Sequence, residues 1–168
     1  MHIPALRHTI LPATVTPTPG RRRLKVSKVS DKPTRPKPTC TVLRAGESFT
    51  GKQGFTYAAA ISAETVGSRG LHMQLITMPP GARGRPHKHE AHETAIYVLS
   101  GQSGTWFGDR LEHHLVAKAG DFFYMPPGVP HQPYNMSATE PVTAVIARTD
   151  PNDQESVILL PDLEGIHA

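Results

Sequence analysis

The sequence predicts an all-β domain, a sandwich or barrel of many short strands, behind a disordered N-terminal extension. Three observations predict it. Strand-length apolar stretches such as Ala95–Leu99 and Val157–Leu160 recur at close spacing, separated by Gly and Pro turns. Two histidines, His87 and His89, stand two residues apart in a Pro- and Gly-flanked stretch that disfavours a helix. Residues 1–39 hold seven prolines and no aromatic residue, the composition of a poor core-former. The division this implies is an extension over 1–39 and a β-barrel domain over 40–168.

The extension carries most of the positive charge. It holds nine Lys or Arg against one acid, Asp31, whereas the remaining residues hold nine bases and thirteen acids. The high pI therefore belongs to the tail, and the barrel is not expected to bind nucleic acid. The segments TPTPGRRR and KPTRPKPT read as extended, solvated chain. Prolines break ATVTPTP and a charged run follows it, which argues against a signal peptide. No run approaches the ~18 apolar residues of a membrane helix. The single cysteine, Cys40, has no partner for an internal disulfide. That agrees with a reducing cytoplasm, the expected location.

Taken in order, Thr41–Arg44 opens the ordered chain and 45–47 is a loop. Phe55–Ser62 is extended, because no helical apolar stripe develops despite three consecutive alanines. Leu71, Met73 and Leu75 alternate with His72 and Gln74, the period of a half-buried strand. Met78-Pro79-Pro80-Gly81 ends it in a turn. His87 and His89 belong to the next strand, and Ala95–Leu99 follows it. A turn at Ser100–Gly104 leads to Thr105–Phe107, and Gly108-Asp109-Arg110 forms a hairpin turn. Leu111–Val116 returns. Phe122–Met125 is a strand, after which Pro126-Pro127-Gly128 turns the chain so that His131 faces into the barrel. Val142–Ala147 is a central strand and Val157–Leu160 a final edge strand.

The histidine spacing has a chemical meaning. Side chains two apart in a strand share a face, so His87 and His89 aim two imidazoles at one point. Neutral imidazole is a ligand for first-row transition metals. His113 and His114 are adjacent and point to opposite faces of any strand, which suits surface residues. His2, His8, His72 and His167 carry no pattern.

Two stretches together resemble the motifs of the cupin superfamily. Gly81, His87 and His89 fit the first motif, and Gly101 closes it. Gly120, Pro126, Gly128, His131 and Asn135 fit the second. The resemblance implies a single jelly-roll barrel. It also implies one divalent first-row metal, Fe, Mn, Ni, Cu or Zn, held by His87, His89 and His131 with a glutamate. Counted back from Gly101, the glutamate slot holds Thr94, while Glu93 lies one residue earlier and His92 two. A one-residue slip reverses the face, so Glu93 reaches a metal only if a bulge or the entry turn re-aims it. Similar three-histidine cupins are often iron dioxygenases; those with an added glutamate include manganese and nickel enzymes.

Three ligands leave positions open for water, oxygen or substrate, a catalytic rather than a closed arrangement. The expected function is a metal-dependent oxygenase acting on a small molecule. The alternatives are a metal-dependent isomerase, epimerase or decarboxylase, and a non-catalytic small-molecule-binding barrel. Ile96 and Val98 share the parity of Thr94 and are expected in the pocket wall, with Phe107 and Tyr124 as weaker candidates. Arg83 and Arg85 near the mouth offer an anion contact. The resemblance implies a homodimer. No Ser-His-Asp arrangement, P-loop or dinucleotide fingerprint is visible.

Overall fold

The computed structural model describes residues 39–44, 48–51, 55–153 and 156–167. Residues 1–38 of the predicted extension lie outside them. Two antiparallel sheets make a jelly roll. One has the order β1 (Ser48–Thr50), β2 (Thr56–Ile61), β3 (His72–Met78), β10 (Val142–Arg148), β5 (Thr94–Ser100), β8 (Phe122–Met125). The other has the order β11 (Val157–Leu159), β4 (His87–His89), β9 (His131–Asn135), β6 (Gln102–Phe107), β7 (His113–Lys118). Antiparallel pairing with one face of each sheet turned inward explains the alternating burial along β3 and β10. No helix among the described residues is long and apolar enough to cross a membrane.

The inner faces bury Phe55, Tyr57, Ile76, Met78, Val98, Val142 and Ile146 as one apolar cluster. At the other end of β3 and β10 the interior turns polar. Arg148 is buried there, and its guanidinium donates to the carbonyls of Asn152 and Asp153. His72 is fully buried beside Asp153, with 3.6 Å between Nε2 and Oδ1. The sequence reading of β3 gave its period and left its inward face open. The half-buried period is present, but His72, Gln74, Ile76 and Met78 face inward, while Leu71 and Met73 are exposed. The polar end of the interior accepts His72 and Gln74, so the burial parity is opposite to the apolar one.

Other boundaries moved for local reasons. β6 begins at Gln102 because the turn is tighter than expected. Gly101 takes φ 78, where a side chain's Cβ would lie 2.7 Å from the Pro141 carbonyl oxygen. β7 begins at His113 rather than Leu111, since Leu111 adopts φ 56 in the preceding turn and is fully buried. Thr41–Arg44 is exposed and irregular. Four elements were not anticipated: β1, β9, a one-turn helix, α1 (Ala63–Val66), and a short 3-10 helix at Pro161–Leu163. Ser62 and Thr65 cap α1 reciprocally, and Gly67 ends it in the left-handed region. β11 is an edge strand, as expected, and pairs with β4.

Candidate metal centre

β4 and β9 pair so that His87 lies directly opposite His131. His89, two residues on, shares the inward face of His87. All three are buried, at 3%, 5% and 1% exposure for His87, His89 and His131. Ring centroids are 4.1 Å apart for His87–His131, 5.0 Å for His89–His131 and 5.4 Å for His87–His89. One ring nitrogen from each comes within 4.8 Å of the others, so the group can hold a metal ion.

The protonation of the rings suits that purpose. His87 Nδ1 lies 2.7 Å from the Arg85 carbonyl, and His131 Nδ1 lies 2.9 Å from the Val129 carbonyl. A carbonyl only accepts, so each Nδ1 carries the hydrogen and each Nε2 keeps its lone pair. Burial, with the neighbouring imidazoles opposing further charge, lowers the His89 pKa to about 3. Burial likewise holds His131 well below the usual histidine range. These rings are neutral donors at physiological pH, the form that binds metal.

Backbone and amide contacts hold the two strands in place. β11 pairs along β4, with Val157 opposite His89 and Leu159 opposite His87. The Gly128 amide donates to the His89 carbonyl at 2.7 Å, which ties the Pro-Pro-Gly turn to the histidine strand. Asn135 donates through Nδ2 to the carbonyls of Met78, Pro79 and Glu140, and its Oδ1 accepts from the Ser137 amide. Gln132 donates to the Gly84 carbonyl just before β4.

The rings open on a cavity of about 80 Å³ between the sheets. That is room for roughly five water-sized atoms. The histidine sheet supplies the imidazoles and the facing sheet supplies an apolar wall, including Ile76, Met78, Ile96, Val98, Phe123 and Ile146. Its polar lining beyond the histidines consists of hydroxyl groups, with Thr94, Ser103 and Thr105 among them. No Asp, Glu, Lys or Arg lines it among the described residues.

Residues 74–147 match the cupin domain family. The chain contains a cupin domain. No curated protein matches the sequence. Among solved structures, a mutant of Bacillus subtilis oxalate decarboxylase is similar at 21% identity with TM-score 0.57. The match covers 68% of this chain and 30% of that one. The formate complex of Lactobacillus farciminis oxalate decarboxylase is similar at 18% identity and TM-score 0.57, over 68% of this chain and 33% of that one. The chain thus spans about a third of the length of these enzymes. At such identities the likeness is one of fold.

Glu93 is placed apart from the other residues expected at the cupin centre. It precedes β5, is exposed, and accepts a 2.7 Å hydrogen bond from the Tyr124 hydroxyl. No bulge or turn carries it inward, so the parity of the strand leaves it outside the three-histidine group. His92 is buried behind His89, with ring centroids 4.5 Å apart, and its Nδ1 lies 3.1 Å from Ser156 Oγ. Thr94 occupies the inward position and lines the cavity.

Of the expected wall residues, Ile96 and Val98 line the cavity. Tyr124 is exposed, and the inward aromatic of β8 is Phe123. Phe107 is not part of the lining. Arg85 forms an exposed ion pair with Glu164 at 2.8 Å, and the Arg83 guanidinium sits over the Tyr134 ring at 4.7 Å. Neither arginine lines the cavity. Wall residues from β2, β3 and β10 had only their burial parity as a signal, and in β3 the alternation gave the period without the face.

Proposed function

We propose that this cupin is a metal-dependent enzyme of the oxygenase type, acting on a small, uncharged, largely apolar molecule. The observation that carries the reading is the pairing of three buried imidazoles with a cavity wall lacking charged side chains. His87, His89 and His131 would hold one divalent first-row ion, with iron the first candidate and Mn, Ni, Cu and Zn admissible. When bound, such an ion supplies Lewis acidity and, if redox-active, oxygen-activating chemistry. The chain's own residues do the rest. The carbonyls of Arg85 and Val129 fix two rings by their Nδ1 hydrogens. The apolar wall excludes water and accepts the hydrocarbon part of a substrate.

An isomerase, epimerase or decarboxylase must move a proton, and for that it needs a titratable group beside the substrate. The described lining offers hydroxyls and the histidines themselves. Beyond the metal ion itself, a dianion such as oxalate would find no cationic side chain in that lining. The lack of a lining Asp, Glu or Lys favours the oxygenase over the proton-moving alternatives.

The reading includes a cytoplasmic location, supported by the single free cysteine. It also includes a homodimer. Tyr97, Leu99, Phe122 and Tyr124 expose apolar surface on neighbouring strands β5 and β8, which supports that part. The test is oxygen uptake by iron-loaded protein against a panel of small uncharged aromatic and aliphatic compounds, repeated without oxygen. Turnover that stops in anaerobic buffer supports the oxygenase. Equal turnover without oxygen transfers the assignment to Lewis-acid chemistry.

A further inference from the structure

Thr94 stands at the position where the first cupin motif carries a glutamate. Its side chain is inward, 4% exposed, and lines the same cavity as His87, His89 and His131. Its Oγ1 is buried and has no hydrogen-bond partner. A buried hydroxyl without a partner is costly, and such groups are ordinarily satisfied by protein, water or ligand. The apolar neighbours on its own strand, Ile96 and Val98, offer no acceptor. Glu93, the nearest carboxylate in sequence, is already engaged outside with Tyr124.

We infer that Thr94 is a ligand-binding residue, whose hydroxyl donates a hydrogen bond to a small exogenous ligand held beside the three histidines. This deepens the proposed function and rests on it. A glutamate at position 94 would add a negative protein ligand and occupy part of the cavity. Threonine instead leaves that space open and marks it with one donor. The ligand so recognised is a small uncharged molecule with an oxygen or nitrogen acceptor at one end. Its apolar remainder lies against Ile96 and Val98.

The test uses the full chain loaded with cobalt(II), with azide as the probe of the open position, followed by visible absorption. Metal content is measured separately for each variant. Wild type is expected to bind azide. Thr94→Val, nearly isosteric, keeps its cobalt and binds azide about fivefold more weakly, the worth of one hydrogen bond. Thr94→Ser restores the donor and the affinity. Thr94→Glu keeps cobalt and loses azide binding by more than tenfold, because its carboxylate takes the place.

If Thr94→Val loads cobalt and binds azide as wild type does, the inference about Thr94 is overturned while the metal centre stands. If wild type takes up no cobalt, or His89→Ala retains it fully, the metal centre fails and the inference fails with it. The Val and Ser variants decide the matter should Thr94→Glu not fold.

Discussion

His87 and His131 face each other across the β4–β9 pair, and the same device holds both rings. Each Nδ1 is bonded to the carbonyl two residues earlier in the chain, that of Arg85 or Val129. Two strands from distant parts of the sequence thus present Nε2 to a common centre in a fixed tautomer. Replacing His131 with Ala removes one of three ligands without disturbing the Arg85–His87 contact. Metal affinity is expected to fall by at least about tenfold, with far-UV circular dichroism unchanged. Isothermal titration with a divalent metal measures it.

Acid should destabilise the metal-free protein. The folded pKa of His89 is depressed to about 3 from an ordinary value of 6.5, and that of His131 is depressed in the same direction. Below pH 6.5 the unfolded chain takes up protons that the folded chain refuses, so stability is complete above pH 6.5. It is lost progressively as the pH falls toward 3, at roughly 1 kcal/mol per pH unit for each ring. Urea midpoints in chelator at pH 7.5, 6 and 5 should fall in that order. A flat series would contradict the buried, neutral state of these rings.

Glu93→Gln separates the outer carboxylate from the centre. The Tyr124–Glu93 hydrogen bond is exposed, and Glu93 holds the Tyr124 hydroxyl above its usual pKa range. The substitution should leave metal content unchanged and the urea midpoint nearly so, as expected for an exposed pair. A fall in metal stoichiometry would instead place Glu93 among the ligands.

Asn135→Ala tests the clamp on β9. One buried amide serves three carbonyls and accepts a further amide hydrogen, so its removal leaves several groups unpaired. A loss of roughly 2–4 kcal/mol is expected, read from urea unfolding. Asn135→Asp removes the donor while keeping the shape and should be similarly costly.

Legibility in the sequence followed local rules and stopped where long-range packing decided. The two-residue spacing of His87 and His89 placed both on one face, and counting back from Gly101 placed Thr94 rather than Glu93 inward. The first is a consequence of strand parity; the second comes from the spacing that the resemblance to the cupin motif implies. The inward side of β3 was not legible, because alternation gives the period and not the face. Buried Arg148, and partly buried Asp153 beside His72, favour the polar side there. β9 was hidden by Pro133 and by two polar residues, Gln132 and Asn135, whose burial depends on carbonyls far away in the chain. The cavity wall draws on strands separated by scores of residues, so only its part on β5 was visible beforehand.

The most direct measurement is elemental analysis of wild type and His89→Ala, both prepared in the same metal-supplemented medium and exhaustively desalted. The account predicts close to one transition-metal ion per chain in wild type and almost none in the variant, with both proteins folded. Equal metal content in the two proteins, or none in wild type after loading, would contradict it.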